Sequence, residues 1–180
     1  MPLPLICELM DRLMRVHSHR LVLFMKLDIQ WGYNNIWIYD DDQWKATFKM
    51  NWGLFEPMVM FFRLTNAPAT FQSMINHIFH DLINEGYVII YMDNILIHTP
   101  DDLALHRQVI NDVLHILTEN DLYLKPQKCV FKVQEVKYLG VIIREDSIAM
   151  DPIKVQGICN WKCPTTLKEV WAFLGFLNFY

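Results

Sequence analysis

Two apolar runs of strand length each carry one carboxylate at or near their end, and this pair constrains the chain more than any other feature. VLFMKLD closes on Asp28, and VIIYMDNILI holds Asp93 in a four-residue polar break, Tyr91-Met92-Asp93-Asn94. A carboxylate set among apolar residues is costly unless it is paired or binds a cation. Were the two runs neighbouring strands, both side chains could converge on one divalent-ion site. Hard oxygen ligands of this kind suit Mg²⁺, which keeps waters and substrate phosphates as its remaining ligands. Two such ions about 4 Å apart can clamp the attacking and leaving oxygens of a phosphoryl transfer. The rival reading makes both acids solvent-facing strand ends, and spacing alone does not separate the two.

The pattern around these runs predicts a mixed chain. Leu5, Leu9, Leu13 and Val16 fall at helical spacing, so a short amphipathic helix is expected over Leu5 to Val16. Trp44 to Met60 reads as two or three strands with Asn51-Trp52-Gly53 as the turn. From Asn66, Phe71, Met74, Ile75, Ile78, Phe79, Leu82 and Ile83 mark one core-facing helix, with Pro68 in its first turn and Gly86 past its end. Tyr87–Ile90 and Ile95–Ile97 form a hairpin around the polar break. Thr99-Pro100-Asp101-Asp102 opens another helix whose apolar face runs through Val109, Ile110, Val113, Leu114 and Leu117. Strands follow at Val130–Val133, Val136–Ile143 and Ile148–Met150. Asp151-Pro152 and the capping box Thr166-Leu167-Lys168-Glu169 then open two further helices.

Composition bounds the function classes. With 53% hydrophobic and 13% aromatic residues the chain should collapse and fold rather than stay disordered. No apolar run approaches the roughly 20 residues of a membrane span, and the first residues do not read as a signal peptide. Four scattered cysteines fit free thiols in a reducing compartment. A net charge of −4 leans against a phosphate-binding partner. The motifs lean the other way.

KLDIQWGYNNI, QWKATFKMNWGLFEPMVMFFRLTNAPATFQ, YVIIYMDNILIHT, LYLKPQKC and YLGVII…AMDPIKV…FLGFLNFY resemble, in order and spacing, the reverse transcriptases of gypsy-type LTR retrotransposons. The resemblance covers nearly the whole chain, and five collinear blocks are specific where one tyrosine-x-Asp motif would not be. It implies an α+β fold: a right-hand polymerase palm, its antiparallel sheet packed on two helices, with partial fingers and a truncated thumb. Residues 1–150 would be fingers and palm, and 151–180 the start of the thumb or connection. Asp28 and Asp93 match the metal-binding aspartates, Asp93 being the first of the family's YxDD hairpin. Tyr33 matches the aromatic under the incoming sugar that excludes the ribose 2′-hydroxyl, and Leu64 to Gln72 match the segment preceding and opening the helix that packs beneath nucleotide and template, which makes Tyr33, Arg63 and Gln72 the nucleotide-binding candidates. Tyr138, Leu139 and Gly140 match the hairpin that grips the primer end. The resemblance further implies two Mg²⁺ ions (Mn²⁺ as substitute), an RNA or DNA template with primer, and deoxynucleotide triphosphates. No membrane is implied; the partner would be the remainder of a retrotransposon polyprotein, and the location an intracellular particle in the cytoplasm, or the nucleus.

Two residues depart from the family. Asn94 stands where YxDD has its second aspartate, so the catalytic set is Asp28, Asp93 and Asn94. An amide offers one neutral oxygen; an ion pair at 4 Å is worth roughly 4 kcal/mol at an effective dielectric of 20. Part of that lost in the transition state would slow the reaction on the order of 10²–10³-fold. Arg63 replaces a glycine of FFGLTNAP, where glycine permits close backbone approach that arginine forbids; the benign alternative turns Arg63 outward to meet a phosphate. The chain is also expected to be a fragment, beginning after the family's basic fingers strands and ending inside the thumb, which would account for its acidity. A non-catalytic relic with weak nucleic-acid or protein binding is the rival function, and a structural domain that never handled nucleotides fits the five blocks poorly.

Lesser features have bland readings. Trp31, Trp37, Trp44 and Trp52 are expected in core or cleft packing more than in base stacking, and Lys45 and Lys49 on a strand. Lys125, Lys128, Lys132 and Lys137 form the densest basic set, a phosphate-contact candidate. His77 and His80 lack the partners of a zinc pattern and read as surface residues. Cys159 and Cys163 are expected to pack across one helical turn, and Met10, Met14, Met50, Met58 and Met60 to fill core gaps.

Overall fold

The computed structural model describes residues 8–9, 22–145 and 147–178. The helix expected over Leu5 to Val16, with Met10 and Met14, therefore lies outside the described residues except for Glu8 and Leu9. In chain order the strands are β1 (Val22–Asp28), β2 (Phe48–Met50), β3 (Gly53–Phe55), β4 (Val88–Tyr91), β5 (Asn94–Pro100), β6 (Val130–Val133), β7 (Glu135–Tyr138), β8 (Val141–Arg144) and β9 (Ile148–Met150). The helices are α1 (Ala67–Ile78), α2 (His80–Asn84), α3 (Leu103–Glu119), α4 (Pro152–Cys159) and α5 (Leu167–Leu177).

The central sheet has the order β4-β5-β1-β6, every neighbour antiparallel. Successive side chains of a strand face opposite sides, and the core divides accordingly. Met25, Leu27, Ile29, Val88, Ile90, Ile95 and Ile97 face the helices, where they meet Phe71 and Ile75 of α1, Phe79, and Val109, Val113 and Leu117 of α3. Each such fully buried side chain contributes about 1.5–3 kcal/mol. Val22, Phe24, Ile89 and Leu96 face the other way and pack on Val136, Tyr138 and Ile143 of the separate sheet β7-β8-β9. This is the α+β architecture expected, with helices on one side of an antiparallel sheet.

Four local expectations change. The long helix from Asn66 breaks at Phe79, whose backbone (φ −101°, ψ 14°) ends α1 and starts α2. Pro100 ends β5 instead of entering a helix, and Asp102 alone caps α3 by accepting from the Ala104 and Leu105 amides. Val136–Ile143 is two strands joined at Leu139-Gly140. Trp44 and Lys45 lie in a 3-10 helix, Asp40–Ala46, not on a strand.

The β2–β3 hairpin is exposed throughout, whereas Tyr33, Ile36 and Met60 on either side of it reach the core. Among the described residues β2 and β3 pair only with each other, and Trp31, Trp37, Trp44 and Trp52 are exposed, Trp52 by 88%. Core packing for these tryptophans is therefore incorrect. Met50 and Met58 are exposed too, while Met60 is buried. Cys159 ends α4 while Cys163 lies beyond it; both are exposed free thiols rather than packed across a turn. No described helix is long and apolar enough to cross a membrane.

Candidate active site

The register of β1 on β5 sets the site. Asp28, the last residue of β1, lies directly opposite Asn94, the first of β5. Opposed residues of an antiparallel pair project to the same face with Cβ atoms roughly 4.5–5.5 Å apart. Tyr91 pairs with Asn94, so Met92-Asp93 is a two-residue turn, and the Ile29 amide donates to the Asp93 carbonyl at 2.7 Å. The Asn94 amide nitrogen donates to Asp93 Oδ1 at 3.0 Å. Asp28, Asp93 and Asn94 thus gather at one end of the central sheet, and the Asp28–Asn94 pair sits on the face away from the helices. Asp28 is 4% exposed, which removes the reading of it as a solvated strand end. Its Oδ2 meets the Lys128 ammonium at 3.2 Å.

Buried groups hold this turn in shape. Met92 has φ 56°, at a hairpin position that normally selects glycine, and such a residue persists only where its surroundings over-determine it. Gln72 of α1 does so. Its Oε1 accepts from the Met92 amide at 2.7 Å, and its Nε2 donates to the Ile90 carbonyl at 3.2 Å and to Asn76 Oδ1 at 2.9 Å. Gln72 is buried with its amide engaged by the protein, and it supports the turn. From the other side, the Tyr138 hydroxyl donates to the carbonyls of Ile89 (3.4 Å) and Asn94 (3.3 Å). Burial pushes the Tyr138 phenol far up, which keeps it a donor. The next two residues, Leu139 (φ 50°) and Gly140 (φ 85°), form the tight turn between β7 and β8. Tyr33 packs edge-on against Phe71, ring centroids 5.5 Å apart. Its phenol is raised by burial and then by the Asp93 charge, which brings Tyr33 into the electrostatic neighbourhood of the carboxylates.

A family model described as reverse transcriptase (RNA-dependent DNA polymerase) matches residues 4–143. The chain belongs to the reverse transcriptase family. It is 34% identical over 178 residues to the transposon Tf2-7 and Tf2-3 polyproteins of Schizosaccharomyces pombe, covering 99% of this chain and 13% of each polyprotein. Among solved structures, the foamy viral protease-reverse transcriptase in complex with an RNA/DNA hybrid superposes with a TM-score of 0.77 at 23% identity. That match covers 87% of this chain and 21% of the viral one. The foamy viral protease-reverse transcriptase dRH in complex with double-stranded DNA gives 0.79 at 23% identity, over 89% of this chain and 28% of that one. The fold is therefore the mixed palm and fingers of a reverse transcriptase.

Within the reverse transcriptase domain the remaining predicted residues divide. Arg63 is exposed, its φ is not in the left-handed region, and its guanidinium lies 5.6 Å over the Phe62 ring. The expected backbone conflict is absent, because the chain here makes an ordinary turn from Phe61 to Leu64 with the side chain outward. The basic set also divides: Lys128 pairs with Asp28 and Lys137 with Asp151, leaving Lys125 and Lys132 as exposed ammonium groups of the four. His77 and His80 are exposed as expected. Among the described residues no three His, Cys, Asp or Glu side chains converge as a metal cluster. The buried Asp28 carboxylate fits a cation, since the Lys128 ammonium already pairs with it at 3.2 Å.

Sequence reading missed two positions. Gly32 is buried, and a Cβ there would meet Phe71 Cζ at 2.6 Å, so only glycine lets the Tyr33 segment sit on α1. Lys128 was seen as one of four lysines. Its contact arises because the Lys125 amide donates to the Asp28 carbonyl at 2.8 Å and a 3-10 turn, Pro126–Lys128, carries the side chain back to the carboxylate.

Proposed function

We propose that this domain is the palm with part of the fingers of a gypsy-type retrotransposon reverse transcriptase, and that it retains a weakened site for template-directed DNA synthesis. The observation that carries the reading is the register that opposes Asp28 to Asn94 with Asp93 one residue away in the turn. Asp28 and Asp93 would hold Mg²⁺ or Mn²⁺, with the Asn94 amide oxygen as a neutral third ligand. A divalent ion bound there supplies positive charge against the triphosphate and favours the ionised primer hydroxyl. Gln72 and Tyr138 keep the turn rigid from either side. Tyr33 gates the sugar by occupying the space of a ribose 2′-hydroxyl. Leu139 and Gly140 hold the primer end, and Arg63, turned outward, meets the phosphates of the nucleotide. Residues 151–180 begin the thumb, and the remainder of a polyprotein and a primed RNA or DNA template are the partners. The relatives whose structures were solved on RNA/DNA hybrid and on double-stranded DNA support that choice of ligand.

Primer extension on a primed RNA template with Mg²⁺ or Mn²⁺ tests the reading. Extension above that of an Asp28→Ala/Asp93→Ala double variant is expected. Equal rates in the two proteins would reject catalysis by these carboxylates. The second reading, a non-catalytic relic, rests on one observation: the Asn94 amide donates to Asp93 Oδ1, engaging a lone pair that a metal would need. Salt-dependent binding to primer-template without extension would favour it.

A further inference from the structure

The ion pair between Lys128 and Asp28 joins two very different side chains. Asp28 is buried with its side chain 6% exposed, whereas the Lys128 side chain is 54% exposed. A buried carboxylate needs a counter-charge at all times. An ammonium on a flexible four-carbon stem can leave for water readily. The loop that carries Lys128 does not have to move for this to happen, since its backbone is tied to Asp28 by the Lys125 amide at 2.8 Å and closed by the Lys128 amide on the Lys125 carbonyl at 3.0 Å. Only the side chain is free to swing.

The local charge then matters. Asp28 and Asp93 supply two negative charges, Asn94 supplies none, and Lys128 returns one positive charge, leaving −1 where the divalent ion would bind. We propose that Lys128 is a built-in competitor for the cation site: its ammonium holds Asp28 until a divalent ion displaces it, and this competition sets the metal affinity of the domain. The proposal rests on the metal-site reading above and adds to it a residue that acts against binding.

Mn²⁺ titration of the full 180-residue chain, followed by the loss of the free-ion EPR signal, tests it without any activity assay. Lys128→Met should bind Mn²⁺ about 3- to 10-fold more tightly than the unaltered chain, the size expected of removing a partly screened ion pair. Lys128→Arg keeps the charge and should stay near the unaltered affinity. Lys125→Met removes an equal charge from the same loop, keeps the backbone amide that holds Asp28 and leaves the Asp28 carboxylate with its Lys128 partner, and should also leave the affinity in place. In the unaltered protein, saturating Mn²⁺ should raise the rate at which an amine-directed acylating reagent modifies Lys128, read by mass spectrometry, while Lys125 stays constant. This measurement does not depend on the variants folding. If Asp28→Asn loses Mn²⁺ but Lys128→Met binds no tighter and Lys128 acylation is unmoved by the metal, the competition is refuted and the metal site stands. If Asp28→Asn binds as the unaltered chain does, the metal-site reading falls and the competition with it. A tightening shared by Lys125→Met would reduce the effect to general charge and overturn the specific role.

Discussion

Placing a carboxylate at position 94, Asn94→Asp, should trade metal-free stability for metal-dependent stability. In the present structure the Asn94 amide donates to Asp93 Oδ1 at 3.0 Å, and Asp28 lies opposite across the strand pair. The substitution removes a hydrogen bond to a charged group, worth about 1.5–3 kcal/mol. It also adds a like charge beside two others. At 4 Å and an effective dielectric of 20 that repulsion is roughly 4 kcal/mol per pair before screening; Asp93 and Asn94 are only half-buried, so about 1 kcal/mol remains. Chelator-treated Asn94→Asp should thus unfold about 2–4 kcal/mol more easily in urea than the unaltered chain. A divalent ion that binds only the folded state adds back about 2.7 kcal/mol at a hundred times its dissociation constant. The metal-induced gain should therefore be larger in Asn94→Asp than in the unaltered chain. Primer extension should rise on the order of 10²–10³-fold. Equal urea midpoints in chelator, together with no extra gain in Mg²⁺, would refute the reasoning, because position 94 would then not share a charge environment with Asp28 and Asp93.

Gln72→Ala leaves the Met92 amide without its acceptor and frees a strained turn, so a loss of about 2–3 kcal/mol in urea unfolding is expected; a loss under about 0.5 kcal/mol would show that the turn holds itself. Gly32→Ala drives a methyl into the Phe71 ring and should cost about 1–3 kcal/mol by thermal unfolding, and an unchanged melting temperature would contradict the close approach. His106 is buried with Nδ1 on the Thr99 hydroxyl at 2.8 Å, and burial, then the Lys132 charge, lowers its pKa. The unfolded chain therefore takes up that proton first as pH falls, so this contribution is whole above about pH 6.5 and declines below it towards the folded pKa. His106→Gln should flatten that part of a stability-versus-pH curve, and an unchanged slope would exclude His106 as its source.

Periodic features were legible in the sequence because burial writes them there. The apolar run Val22–Asp28 is buried on both faces of the sheet, and the helical spacing of Phe71 and Ile75 marks the core-facing surface of α1. The pairing of Asp28 with position 94 was reachable only through the family resemblance, since register depends on both strands at once. The sequence neighbourhood of Gln72 points to the opening of a helix beneath nucleotide and template. The actual partners of Gln72, Ile90 and Met92, lie 18 and 20 residues away and follow from tertiary packing. The tryptophans misled for the opposite reason: an aromatic residue signals core on average, but between residues 31 and 62 the backbone forms short paired pieces that do not join the central sheet.

Position 94 is where fold and chemistry separate in this domain. Its backbone pairs with Asp28 and with Tyr91, and its carbonyl accepts from Tyr138. Any residue compatible with a strand supplies those contacts, so the turn keeps its shape with asparagine in place. What changes is charge, and charge at this point contributes little to packing. Arg63 follows the same logic, since an ordinary backbone and an outward side chain let it replace glycine without cost to α1 or the sheet. Asp28 differs: it is buried, its carbonyl anchors the loop through the Lys125 amide, and its carboxylate is matched by Lys128. The palm therefore keeps its shape with asparagine at position 94, and primer extension measured against the Asp28→Ala/Asp93→Ala variant is the assay that reads activity.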